Sequence, residues 1–260
     1  MSLAGNFTRN AFAPDCGDCP IRTQAICAQC QPDELAALNA MKSYRTYKKD
    51  EMITYAGVEM RYVGTLVTGL ASISQGLEDG RRQIMGILMP SDFVGRPGRK
   101  RSKYDIQASA EVVMCRFERL AFERFFNASP TLGPRFLEMT MDELDAAREW
   151  MLLLGRKTAR EKIATLFCML ATKSKSLNPN PRSTAFAFEL PLTREMLADY
   201  LGLTIETVSR QISALKNDGV IIVQAQRHII SPDFARLHRE TGSEQPIASP
   251  DLFQISSDFI

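Results

Sequence analysis

The sequence predicts an α+β chain: a β-rich domain of jelly-roll or sandwich type, then one long helix, then a C-terminal pair of steeply crossing helices. Three observations predict it. Short runs rich in β-branched and aromatic residues recur between residues 44 and 117, separated by glycines and turn dipeptides. Helix formers then dominate residues 134–174. In residues 193–212, TREMLADYLGLTIETVSRQI, a small residue (Ala198), a glycine (Gly202) and a β-branched residue (Val208) are spaced as two crossing helices require. One is needed where the helices touch, one to turn, and one as an apolar peg that locks the angle.

Composition limits what the chain can be. At 260 residues it can build two modest cores, and a formal charge of +2 confines any nucleic-acid contact to a local surface. No run approaches the roughly 18 apolar residues of a membrane span. The start, MSLAGNFTRNAFAPD, has no apolar stretch with a cleavage site. The expected location is therefore the cytoplasm, with no membrane partner. In that reducing compartment six cysteines suit metal ligation or core packing better than disulfides. The two histidines, His228 and His238, stand near no plausible nucleophile, so the expectation is that the protein is not an enzyme.

In chain order, residues 1–31 form a cysteine-rich segment. Cys16, Cys19, Cys27 and Cys30 have the spacing C-x2-C-x7-C-x2-C. Paired C-x2-C loops let two thiolates grip one inorganic centre while nearby amides donate to sulfur. The gap is short for a zinc ribbon, whose arms lie roughly 15–20 residues apart. A cluster fits better, and one of its ligands can come from elsewhere.

Residues 32–132 make the β domain, with strands expected at 52–55, 62–67, 71–74, 83–88 and 106–117, and a tight hairpin at Asp79-Gly80. Cys115, late in the last of these, reads on its own as a core residue. Residues 95–104, GRPGRKRSKY, read as a solvated basic loop, and residues 118–126 as helical.

The long helix opens at Pro134, with Gly155 expected to break it. One heptad stripe takes Leu137, Met141, Leu144, Arg148 and Met151, and a second takes Met139, Asp142, Ala146, Glu149 and Leu153. The second is assigned to contact with another copy of the chain, where Glu149 meets its own copy across a two-fold axis. Residues 133–157 are thus a dimerisation helix, and Cys168 beyond it reads as core.

Residues 158–240 then form a winged helix-turn-helix. Thr193 and Thr204 are the expected helix N-caps. The second helix presents Ile205, Glu206, Ser209 and Arg210 outward, side chains suited to base edges in a major groove. A hairpin follows, with Arg227 at its tip for a phosphate, and Ser231-Pro232-Asp233 opens a last short helix. Residues 241–260 read as a tail.

This order of parts closely resembles the FNR branch of the CRP/FNR transcription regulators, over roughly residues 16–240. LGRKTAREKIATLF (154–167) is similar to the end of that family's dimer helix. ETVSRQISALKNDGVI (206–221) is similar to its recognition helix and wing entry. Glu206, Ser209 and Arg210 match the branch's E-x-x-S-R pattern, which implies double-stranded DNA carrying an inverted repeat of TTGAT half-sites. The cAMP-binding branch has Arg and Gly in place of Ile205 and Ser209, and a Gly-Glu-Leu-Gly cassette in place of residues 91–95, SDFVG. No cyclic nucleotide is therefore expected.

The resemblance further implies a cyclic-nucleotide-binding-like β roll acting as sensor, a homodimer, and RNA polymerase as a partner. It also implies an oxygen-labile [4Fe-4S] cluster held by three N-terminal cysteines and one from the end of the roll. That makes Cys115 the fourth ligand beside Cys16, Cys19 and Cys27, with Cys30 as the alternative to Cys27. A structural zinc or a thiol switch in place of the cluster is the other reading.

Overall fold

The computed structural model describes residues 14–177, 186–190, 192–225 and 227–243. They divide into two compact units, one made of the described residues up to 72 with 88–139 and the other of residues 73–87 with the described residues from 140 onward. The β domain contains β1 (Ser43–Tyr47), β2 (Met52–Thr54), β3 (Tyr62–Thr68), β4 (Ala71–Gly76), β5 (Arg82–Leu88), β6 (Phe93–Val94), β7 (Asp105–Ala108) and β8 (Val112–Glu118). They form two four-stranded sheets, ordered β1-β8-β3-β6 and β2-β7-β4-β5. This is the expected sandwich of short strands.

β8 is central in the first sheet. Its Cys115 stands opposite Tyr44 of β1 and Thr65 of β3. β3 approaches closely there because Gly64 has no side chain; a Cβ on it would overlap the Cys115 carbonyl. The expected strand 106–117 proves to be two. The chain leaves the ladder after β7, and the amides of Ser109 and Ala110 both donate to the Leu70 carbonyl before β8 begins. A strand-like run with no Gly or Pro in it hides such a corner, because tertiary pairing makes it.

Before the roll stand a 3-10 turn (Cys16–Asp18) and α1 (Pro32–Met41), which the sequence reading did not call. α1 starts with a proline in its first turn and a capping box, the Gln31 amide donating to the Glu34 carboxylate at 2.8 Å. The cysteine segment is not an appendage. Ile21, Ala25 and Ile26 are buried in one cluster with Leu38, Val63, Phe117 and Phe122, so the segment belongs to the core of the first unit.

α2 (Arg119–Ala128) is capped by Glu118, whose carboxylate accepts from the Ala121 amide at 2.8 Å. α3 (Leu132–Arg156) and α4 (Ala159–Leu177) follow. The break falls at Lys157-Thr158 rather than at Gly155, which sits inside α3. Thr158 and Glu161 cap α4 reciprocally, at 2.7 and 3.3 Å, and starting a new helix there outweighs the weak helix preference of one glycine.

The second unit takes in most of α3 and continues through α4, β9 (Phe186–Glu189), α5 (Arg194–Leu201), α6 (Ile205–Asn217), β10 (Ile222–Gln224), β11 (His228–Ser231) and α7 (Phe234–Arg239). Its sheet is ordered β10-β11-β9. Trp150 of α3 stacks on Tyr200 of α5 with ring centroids 4.0 Å apart. Asp233 caps α7, accepting from the amides of Ala235 and Arg236. Most of the expected tail, residues 244–260, lies outside the described residues. Among the described residues no helix is long and apolar enough to cross a membrane.

Candidate cysteine site and nucleic-acid interface

Folding brings Cys115, from the middle of a sheet, to cysteines far away in sequence. Cys16, Cys19, Cys27 and Cys115 line one pocket of about 420 Å³, its mouth included, walled mainly by Ile21, Ile26, Leu38, Tyr44 and Phe117. Cys30 is not among the lining residues. Its sulfur instead lies 3.6 Å from the Thr131 hydroxyl, which also donates to Glu34 at 2.7 Å. Among the described residues no three His, Cys, Asp or Glu side chains are grouped to hold a single metal ion.

Two basic side chains that sequence reasoning missed shape the pocket. The Arg22 guanidinium donates to the carbonyls of Cys27 and Ala28 at 2.7 Å each and of Cys30 at 3.2 Å, folding the C-x2-C turn around itself. The Lys42 ammonium, at the end of α1, stands 3.7 Å from Cys16 Sγ. The helix start at Pro32-Asp33-Glu34 was the available signal for α1, and with it for Lys42. Burial pushes the Cys27 and Cys115 thiols up to about 12, and raises Cys19 as well. In the metal-free chain these thiols therefore keep their protons near neutral pH, and metal binding must expel them. Cys168 is buried in α4, its thiol likewise pushed by burial to about 12, and it takes no part in the pocket.

The cysteine segment is tied to the start of α3. Arg135 donates to the Gln24 carbonyl at 2.6 Å, and Gln29 donates to Glu138 at 3.3 Å. Met139 packs against the same core cluster as the cysteines. Of the stripe expected to meet another copy, Leu153 is only 2% exposed within its own chain and Met139 and Ala146 are half-buried, while Asp142 and Glu149 are exposed. The other stripe is the open one. Leu137 (60%), Met141, Leu144 and Met151 (73%) all face out.

In the second unit, the Thr193 hydroxyl accepts from the Met196 amide and the Thr204 hydroxyl from the Thr207 amide, both at 3.2 Å. Both threonines thus act as caps. Gly202 makes the turn with φ +62°, a left-handed conformation natural to glycine. Leu197, Ala198, Leu201, Val208 and Ile212 are buried between the helices, and the Lys162 ammonium pins the turn by donating to the Leu201 carbonyl at 3.1 Å. That leaves Ile205, Glu206, Ser209 and Arg210 exposed on the first two turns of α6. Arg227 is exposed in the turn just before β11; the neighbouring residue Gln226 lies outside the described residues.

A helix-turn-helix with its first two recognition turns free, backed by a β-hairpin and preceded by a β domain and a long helix, defines a DNA-binding transcription regulator. Residues 161–240 match the Crp-like helix-turn-helix domain family, and residues 44–129 the cyclic nucleotide-binding domain family. The chain is 55% identical over 229 residues to the transcriptional activator protein FnrL of Cereibacter sphaeroides, covering 88% of this chain and 92% of that protein. It is 33% identical to the nitrogen fixation regulation protein FixK of Bradyrhizobium diazoefficiens, covering 80% and 86%. The structure of FixK2 from Bradyrhizobium japonicum is similar with a TM-score of 0.67 at 30% identity, covering 78% of this chain and 99% of that one. The chain belongs to the CRP/FNR family of transcription regulators and is not an enzyme.

Proposed function

We propose that this cytoplasmic regulator senses oxygen through a [4Fe-4S] cluster held by Cys16, Cys19, Cys27 and Cys115, and binds TTGAT inverted repeats as a homodimer when oxygen is absent. The observation that carries the reading is the shared pocket: these four sulfurs line it, while Cys30 lies beside Thr131. The donor set fits. A lone zinc ion needs sulfurs about 3.8 Å apart, from Zn–S bonds of about 2.3 Å in a tetrahedron. The pocket lining offers four cysteines and no His, Asp or Glu, the all-thiolate donor set that iron–sulfur clusters take. Such a group supplies the oxygen-labile chemistry when bound.

The chain's own residues supply the rest. Ile21, Ile26, Leu38 and Phe117 keep water from the sulfurs. Arg135 and the Gln29–Glu138 contact carry order in the cysteine segment to the first turns of α3. The homodimer seam is the open stripe Leu137, Met141, Leu144 and Met151, not the stripe first assigned to it; Glu149 lies about 120° round the helix from Leu137. Pairing there places two copies of α6 about one DNA turn apart, each offering Glu206, Ser209 and Arg210. The bound dimer engages RNA polymerase, in keeping with the activator name of its relative from C. sphaeroides.

No cyclic nucleotide is needed. Ser91, at the place of the phosphate cassette, donates to Gln24 of the cysteine segment at 3.3 Å. Anaerobic reconstitution followed by metal and sulfide analysis tests the proposal. About four iron and four sulfide per chain are expected. Stoichiometric zinc without sulfide overturns it.

A further inference from the structure

Beside the pocket, Lys42 is held with unusual definition for a lysine. It stands at the C-cap of α1, where the helix's negative end favours a cation. Its ammonium donates to the Asn39 side-chain carbonyl and to the Pro14 backbone carbonyl, which leaves its remaining N–H for Cys16 Sγ at 3.7 Å. The Asn39 carbonyl oxygen also accepts from the Cys16 amide at 3.2 Å, and the Asn39 amide donates to Asp15 at 3.1 Å. The ammonium further lies 5.6 Å from the centroid of the Tyr44 ring, and Tyr44 lines the pocket.

From this placement we infer that Lys42, held by Asn39, is a positioning residue for the inorganic centre: it fixes the Cys16 thiolate and sets one positive charge against the sulfur cage. Four thiolates leave a bound iron–sulfur cluster with net negative charge. Hydrogen bonds to its sulfurs and nearby charge set how readily it gives up an electron. Lys42 makes the bound cluster harder to oxidise, and so slower to fail in air. It also ties down Cys16, which, like Cys19 and Cys27, is carried by turns rather than by a regular strand or long helix. This inference rests on the cluster reading above and deepens it.

The test uses the full-length protein, reconstituted with iron and sulfide without air, as parent, Lys42→Met and Lys42→Arg. Methionine keeps length and apolar bulk without charge or donor; arginine keeps both. Expected for Lys42→Met are a reduction potential shifted negative and a several-fold faster loss of the cluster's visible absorbance in air, with Lys42→Arg close to the parent. Loss of the cluster in Lys42→Met alone, with Lys42→Arg still loading, carries the same conclusion. Equal potentials and decay rates in all three overturn the role assigned to Lys42 while leaving the cluster reading intact. Equal failure of both variants also overturns it, since the side chain would then matter only for its shape. A parent that takes up no iron and sulfide overturns the cluster reading itself.

Discussion

The C-x2-C-x7-C spacing names Cys27, with Cys30 as its alternative, and their surroundings differ in kind. Cys27 faces the pocket shared with Cys115, whereas Cys30 sits against Thr131. Cys27→Ser and Cys115→Ser should each abolish iron and sulfide uptake, while Cys30→Ser should leave the visible spectrum of the reconstituted protein unchanged. On the DNA side, Arg210 and Arg227 are both exposed, and the proposed reading gives them different tasks. Arg210→Ala should cost about 1–3 kcal/mol on a TTGAT site and flatten the preference at its guanine. Arg227→Ala should weaken all sequences alike and shallow the salt dependence by about two units, one for each copy in the dimer. Titrations at several salt concentrations, on cognate and scrambled sites, separate the two.

At the scale of elements, the helix-turn-helix was legible because its determinants are local: two threonine caps, Gly202 and a handful of apolar pegs. α1 and β1 were not. α1 packs Leu35, Leu38 and Met41 on the core but spreads alanines and leucines around the whole helix, so no one-sided stripe marks it. The 106–117 run concealed a corner made by contact with Leu70. The long helix was seen, but periodicity cannot say which of its two stripes packs on its own chain; burial does, and the proposed seam takes the stripe left open. The seam assignment follows from that burial. Leu144→Glu, on the open stripe, should leave the fold intact but place a carboxylate in the dimer contact, at a cost on the order of 3–5 kcal/mol. Sedimentation should show a monomer that no longer shifts a TTGAT repeat. Leu153→Glu, by contrast, should lower the melting temperature sharply, because that side chain is only 2% exposed within its own chain.

Across the whole molecule, the proposed function requires sensing and reading to communicate, and the described contacts offer one short route. The Arg135 bond to the Gln24 carbonyl joins the cysteine segment to α3, whose open stripe forms the proposed seam. Arg135→Ala should therefore keep the cluster while weakening DNA binding without air, by about 0.5–2 kcal/mol. Gel shifts paired with iron analysis of the same samples check it, since loss of iron in step with loss of binding would place Arg135 in the pocket's stability rather than in its signalling. The origin of the four sulfurs has a further consequence, this time for synthesis. The loop cysteines leave the ribosome first, and at about 5–20 residues per second the chain grows for several seconds before Cys115 appears. Even then β8 must pair with β1 and β3 before that sulfur has a fixed address. For the proposed cluster, maturation would thereby be timed by the roll: the nascent chain would hold iron in its final form only after the sheet has closed.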